Sequence, residues 1–124
     1  MYKKILVGVT GAKNTLDVCK VGFSLADTNA ELILLHVVQT LTNATRKQAD
    51  AELEQVKKLS FDYRPVKMDM VVVEGDPKQK IVELAQRNMV DVVVLGAPIT
   101  PSENIPKYVM ENAHCTVVLV KGKD

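Results

Sequence analysis

The sequence predicts an α/β domain of three layers, α/β/α, in which helices cover both faces of a five-stranded parallel sheet. Apolar residues that are nearly continuous at 31–38 and continuous at 92–95 indicate strands that are buried on both faces, as in parallel sheets. Segments with helical spacing separate such runs, so strands and helices alternate along the chain. Right-handed crossovers leave a flavodoxin-like strand order or the order 3-2-1-4-5. We prefer 3-2-1-4-5, because residues 66–73 alternate at first between apolar and polar, as an edge strand does.

Composition places the chain among ordinary globular proteins. With 124 residues, 47% hydrophobic and 25% charged, it is expected to form a single domain over residues 1–124. The net charge of +1 gives no sign of a nucleic-acid partner. No apolar run approaches the roughly 18 residues of a membrane span, and no signal peptide is visible, so we predict no membrane insertion. Cys19 and Cys115 fall in different elements and are expected to be reduced, which predicts a cytoplasmic protein.

The first half of the chain predicts two strands, 4–9 and 31–38, each followed by a helix. Asn14 is the expected cap of the first helix, which should run from Thr15 to about Thr28. The second helix is expected over 44–60. The apolar stripe of the first helix is expected to comprise Leu16, Cys19, Phe23 and Ala26, and that of the second Ala49, Leu53, Val56 and Leu59. The second stripe is thin, which predicts a helix that lies loosely on the sheet.

The second half predicts three strands and two helices. After the strand 66–73, Gly75 is expected to turn the chain, Asp76 to cap a helix and Pro77 to occupy its first position. That helix should cover 78–88. The remaining elements are expected to be a strand at 92–95, a helix at 105–112 capped by Ser102 or Asn104, and a closing strand at 116–120.

Six segments, in this order and at these distances, resemble the universal stress protein family over nearly the whole chain: 4–9, 30–37, 74–77, 81–85, 91–96 and 113–120. The resemblance implies a Rossmann-like fold, of the adenine nucleotide alpha hydrolase-like type. It also implies a non-enzymatic protein of the stress response or of regulation. Dimerisation through the last strand is implied as well, with Val117, Val118, Leu119 and Val120 as the candidate interface.

The loop after the fourth strand departs from the members of this family that bind ATP. Those members carry an aspartate after the first strand and a G-x-x-G-x9-G-[ST] loop, whose glycines let backbone N–H groups surround phosphate oxygens. Here Thr10 stands at the aspartate position, Ile99 replaces the second glycine and Glu103 lies where the final glycine should be. Pro98 and Pro101 remove two further N–H donors.

The resemblance therefore implies the non-ATP-binding branch, with no cofactor. ATP is disfavoured, whereas AMP or adenosine remains compatible with a reduced site at the switch point between the first and fourth strands. The candidate residues of this vestigial nucleotide site are Val9, Thr10, Gly11, Val38, Gly96, Ala97 and Ser102.

No catalytic or metal-binding residues are predicted. His36 has no carboxylate or cysteine near it in the sequence, so we interpret it as a buried histidine with satisfied hydrogen bonds. His114 and Cys115 should point to opposite sides of an extended segment, which makes them a poor dyad. Walker A, G-x-G-x-x-G, G-x-S-x-G and H-x-x-E-H patterns are absent.

The leading functional hypothesis is a non-enzymatic homodimer with an unidentified protein partner. Two alternatives stay open. The first is an adenine-nucleotide-binding sensor with a reduced phosphate loop, and the second is a soluble regulatory module related to the stress-protein domains fused to transporters.

Overall fold

The computed structural model describes residues 1–9, 15–97 and 105–121. In these ranges strands and helices alternate, and all neighbouring strands are parallel, in the order β3-β2-β1-β4-β5. The α/β/α class and the 3-2-1-4-5 order are thereby confirmed. The elements are β1 (Tyr2–Val9), α1 (Thr15–Leu25), β2 (Ala26–Val38), α2 (Asn43–Ser60), β3 (Val66–Glu74), α3 (Pro77–Arg87), β4 (Val92–Gly96), α4 (Ile105–Asn112) and β5 (Thr116–Val120).

The central strands are buried on both faces because each face carries a pair of helices. On one face α1 and α2 cover a cluster that includes Ile5, Val7, Leu32, Leu34 and Val94. On the other face α3 and α4 cover a second cluster that includes Leu6, Leu35, Ile81, Val93 and Val109. Full burial of one such side chain contributes about 1.5–3 kcal/mol, so these two layers supply most of the favourable free energy of folding.

Two glycines allow close contact inside these layers. A Cβ at Gly22 of α1 would lie 2.7 Å from Val7 Cγ2, so α1 can approach β1 only because this side chain is missing. A Cβ at Gly8 would lie 2.6 Å from Leu95 Cδ2 and 3.2 Å from Ile81 Cδ1. These contacts set the spacing between β1 and the elements on both of its faces.

The capping predictions for α2 and α3 can be compared directly with the structure. Asp76 accepts a hydrogen bond from the Lys78 N–H at 3.2 Å, and Pro77 is the first helical residue, as predicted. The helix α2 begins one residue earlier than expected, because Thr42 forms a capping box with Thr45. Its buried residues are Ala49, Leu53 and Val56, and Leu59 is half-buried, which confirms the thin stripe.

The junction of α1 and β2 differs from the prediction. Helix α1 ends at Leu25 instead of about Thr28, and β2 begins at Ala26 instead of residue 31. The extra residues form an irregular start of the strand, where two steps along β1 correspond to five along β2. Asn29 adopts a positive φ of 63° there, and its N–H donates to the Pro65 carbonyl at 2.8 Å. Helical periodicity in the sequence could not register this tertiary hydrogen bond.

Two residues of the predicted α1 stripe also differ: Ala26 is buried but belongs to β2, and Leu16 is exposed. Leu16 is 40% exposed, whereas Val18, Cys19, Gly22 and Phe23 are buried. The stripe is therefore rotated by part of a turn at the start of the helix. The expected caps Asn14, Ser102 and Asn104 lie outside the described residues. Among the described helices, none has the length and apolar character needed to cross a bilayer.

Candidate functional site

The carboxyl ends of three adjacent strands, β2, β1 and β4, form the candidate site. The chain passes from β1 to β2 through α1 on one face, and from β3 to β4 through α3 on the other. The strand order therefore reverses between β1 and β4, which is where open parallel sheets bind ligands. Val9 and Val38 end β1 and β2 as predicted, whereas β4 ends at Gly96, one residue later than the predicted 95.

The side chains of Val9 and Val38 are not accessible to a ligand. They are 4% and 8% exposed, so these residues present only backbone atoms at the edge. The Val38 carbonyl already accepts the Gly75 N–H at 3.0 Å. Three other candidates, Thr10, Gly11 and Ser102, lie outside the described residues, and so do the loop positions Ile99 and Glu103.

The backbone N–H that follows β4 is already hydrogen-bonded within the sheet. The Ala97 N–H donates to the Val120 carbonyl at 2.8 Å, and Gly96 is paired in register with Val120. A phosphate cradle needs N–H groups that point away from the sheet toward the anion. At Ala97 this donor is already used by β5.

Carboxylates lie where β3 ends, beside the candidate site. The Glu74 Oε1 accepts the Leu41 N–H at 2.8 Å, which ties the β2–α2 connection to the end of β3. Asp76 Oδ2 lies 3.4 Å from Lys78 Nζ, and that ammonium lies 5.9 Å from the centre of the Tyr108 ring. Asp76 thus pairs with the Lys78 cation at this end of α3.

The sequence-based interpretation of His36 is wrong in one respect. His36 is buried, at 8% exposure, but Glu52 of α2 brings its Oε2 to 3.1 Å from His36 Nδ1. The two atoms are not aligned for a hydrogen bond, and neither has a hydrogen-bond partner, so the Nδ1 atom of the histidine is not satisfied. The available signal was the position of Glu52 on the α2 stripe, three residues after Ala49 and four before Val56. Sequence distance concealed the pair, because 16 positions separate the two residues.

The two cysteines are poor nucleophiles. Burial and, secondarily, the Glu52 carboxylate raise the pKa of Cys19 to about 12. Burial and, secondarily, the Asp91 carboxylate also raise the pKa of Cys115. Both groups therefore remain thiols at neutral pH, and the thiol is far less nucleophilic than the thiolate.

The neighbours His114 and Cys115 lie at the amino ends of β4 and β5, opposite the candidate edge. His114 is exposed, with its Nε2 3.1 Å from the Val90 carbonyl, whereas Cys115 packs against the α3/α4 cluster. Within the described ranges, the His, Cys, Asp and Glu side chains form no group of three or more that fits a metal ion.

The predicted dimer residues lie on the edge strand β5. Leu119 is 42% exposed, Val117 and Val118 are half-buried, and Val120 is only 9% exposed. An edge-to-edge contact would therefore involve the side chains of the first three, with Val120 held in the chain's own core.

Comparison with known proteins shows which family this chain resembles. Residues 1–121 match the universal stress protein family. Universal stress protein MJ0531 of Methanocaldococcus jannaschii is 28% identical over 142 residues, which cover 98% of this chain and 83% of that protein.

Solved structures show the same fold. The protein MJ0577 superposes with a TM-score of 0.83 at 22% identity, covering 100% of this chain and 99% of the other. A universal stress protein from Archaeoglobus fulgidus in complex with dAMP superposes with a TM-score of 0.77 at 15% identity, covering 97% and 98% of the two chains. With the family match over nearly its whole length, this chain belongs to the universal stress protein family.

Proposed function

We propose that this protein is a non-enzymatic, regulatory member of its family that acts as a homodimer assembled through the outer edge of β5. The observation that carries the proposal is the composition of that edge. Residues 116–120 include no charged side chain, and Leu119 is 42% exposed. An edge strand without charges or proline is open to pairing with another strand.

Two-fold symmetry makes this strand self-complementary. If two copies of β5 pair antiparallel about Val118, Leu119 of each copy lies beside Val117 of the partner subunit. Each pair would then bury apolar surface and satisfy the outward N–H and C=O groups of both strands. The two sheets would continue across the symmetry axis.

Three observations support a non-enzymatic role in the branch that does not bind ATP. The raised pKa values of Cys19 and Cys115 keep both thiols protonated. The Ala97 N–H is bonded to β5. The substitutions Thr10, Ile99 and Glu103 in the sequence weaken the phosphate grip further.

Sedimentation velocity over a range of micromolar concentrations tests the dimer. The wild type should sediment as a dimer, and Leu119→Glu should be monomeric because a carboxylate would be buried without a partner. Met70→Glu on β3 is the matched control, since Met70 is also 42% exposed but lies on the other edge. A wild type that stays monomeric, or a Leu119→Glu variant that stays dimeric, contradicts the proposal.

A second candidate function is an adenine-nucleotide sensor that recognises AMP or adenosine. The relative from Archaeoglobus fulgidus, whose structure is a complex with dAMP, supports this alternative. A ligand of that kind would sit at the switch point, where Val9, Val38 and Gly96 end their strands.

Calorimetry with adenosine, AMP and ATP separates the possibilities. If the loop binds phosphate weakly, AMP and adenosine should bind, and the affinity for ATP should not exceed the affinity for AMP. ATP binding tenfold tighter than AMP would show a working phosphate loop and remove the assignment to the non-ATP-binding branch. Absence of heat with all three ligands at millimolar concentration would remove the sensor.

A further inference from the structure

The helix α4 has one flank that the chain itself leaves uncovered. Val109 faces the sheet and is fully buried, whereas the next residue, Met110, is 57% exposed. On the opposite flank Tyr108 lies beside α3, because its ring centre is 5.9 Å from Lys78 Nζ. Since α3 packs on β2 and α4 packs on β5, the flank that carries Met110 is turned toward the outer edge of β5.

This edge-facing flank consists of uncharged residues. Positions three or four apart share one side of a helix, so Pro106, Met110 and Ala113 form a row. Ala113 follows the last helical residue, but its N–H still donates to the carbonyl four residues earlier at 2.8 Å, so it continues the turn. The exposed residues Lys107 and Glu111 lie on the side of α4 that faces away from the sheet. A contact along the row would therefore bury apolar surface without burying a charge.

Pairing of two β5 strands would bring this flank close to its own copy. Val109 belongs to one cluster with Val93 of β4 and Val117 of β5, which are paired in register, so α4 lies above the boundary between these strands. A two-fold axis perpendicular to the sheet would lie halfway between the two β5 strands, and each α4 would be about one strand spacing, ~4.8 Å, from it. The two helices would then be about 10 Å apart, and packed helices are separated by roughly 8–10 Å.

We propose that the edge-facing flank of α4 packs against the same flank of a second copy of this chain. The dimer interface then has two layers, the paired β5 strands and a pair of antiparallel α4 helices above them. The inference rests on the dimer proposed above and adds a contact that strand pairing alone does not supply.

The symmetry assigns a central place to Met110. A two-fold axis perpendicular to the sheet keeps both α4 helices on one face and reverses the direction of one of them. Met110 of each chain therefore comes near Met110 of the partner subunit. The flexible thioether side chain of methionine adapts to the space between two helix surfaces, and its exposed area would be covered in the dimer.

Mixing two charge variants tests the α4 contact. Met110→Glu and Met110→Lys, one of them labelled with ¹⁵N, are combined, and native mass spectrometry counts the three kinds of dimer. Random pairing makes about one half of the dimers mixed. If α4 meets α4, like charges face each other in both homodimers and opposite charges in the mixed dimer, so the mixed fraction should rise to about four-fifths. Support of α4 by contacts within one chain would not favour the mixed dimer.

The pair Met70→Glu and Met70→Lys is the matched control, because Met70 is also an exposed methionine but lies on the opposite edge of the sheet. This pair should mix at random, and a preference equal to that of the Met110 pair would overturn the proposal. Random mixing of the Met110 pair, or no dimer from that pair even when mixed, also overturns it. If the wild type is then dimeric and Leu119→Glu monomeric, the dimer through β5 stands without the α4 contact. A monomeric wild type removes both proposals.

Discussion

The two edges of the sheet are built in different ways. Strand β3 has nine residues, and Lys67, Asp69 and Glu74 expose charged side chains along it. Strand β5 has five residues, Thr116–Val120, with no charge among them. Charged residues on an edge strand hinder pairing with another chain, because pairing would remove them from water. Of the two edges, the uncharged β5 is therefore the one to which a partner strand can add.

The largest effect is expected from making β3 resemble β5. In Lys67→Val/Asp69→Val the protecting charges are gone, so a second edge becomes available and assembly should proceed beyond the dimer with increasing concentration. Light scattering coupled to gel filtration measures the mass. Glu54→Val/Lys57→Val on the exposed side of α2 is the control, because it also removes one negative and one positive charge. A double variant of β3 that keeps the mass of the wild type would show that its charges do not protect the edge.

The next effect concerns the helices that support the two edges. Val109 of α4 and Val56 of α2 are 0% and 1% exposed, and truncation of each to alanine should lower the free energy of unfolding by about 1–3 kcal/mol. Because α4 packs on β5, only Val109→Ala should also weaken the dimer. Urea denaturation measures the free energy of unfolding, and sedimentation measures the dissociation constant of the dimer. Equal dimer constants for the two variants would refute the link between α4 and the β5 edge.

A smaller effect is expected at the exit from β3. Asp76→Ala removes the side chain that accepts the Lys78 N–H, so the free energy of unfolding should fall by about 1 kcal/mol. Asp62→Ala, at an exposed position after α2, is the control and should change stability by less than about 0.5 kcal/mol. The dimer constant should be unaffected by either change, and thermal denaturation monitored by circular dichroism compares them.

The smallest effect is chemical and lies at the entrance to β5. The raised pKa of Cys115 means that its thiolate fraction at pH 8 is below that of a free cysteine, so disulfide-exchange labelling should be slow and should accelerate as the pH rises. Cys19, with a pKa raised to about 12, should stay unlabelled in the native protein. The variant Cys115→Ser therefore should take up no label until it is unfolded. Native labelling of Cys19 at the rate of Cys115 would contradict its burial.

Much of the candidate site could be anticipated because it depends on chain order. Right-handed crossovers leave two strand orders, and the alternating pattern of residues 66–73, typical of an edge strand, favours the order in which β1 and β4 are neighbours at the switch point. In the structure these two strands end at Val9 and Gly96. The hydrogen-bond partners of the backbone at that edge were not predictable from the sequence. The Ala97 N–H donates to the Val120 carbonyl, and these residues are 23 positions apart in the chain.

By itself, the sequence determined the α/β class, the strand order and the start of α3 at Asp76-Pro77, since buried runs, helical spacing and capping residues are local properties. Only the tertiary structure decided that β2 begins at Ala26 and that His36 meets Glu52. Both depend on residues brought together across the sheet: Asn29 to Pro65 in the first case, β2 to α2 in the second. The local sequence pattern indicates which face of a helix or strand is buried, whereas tertiary packing determines which residues that face contacts.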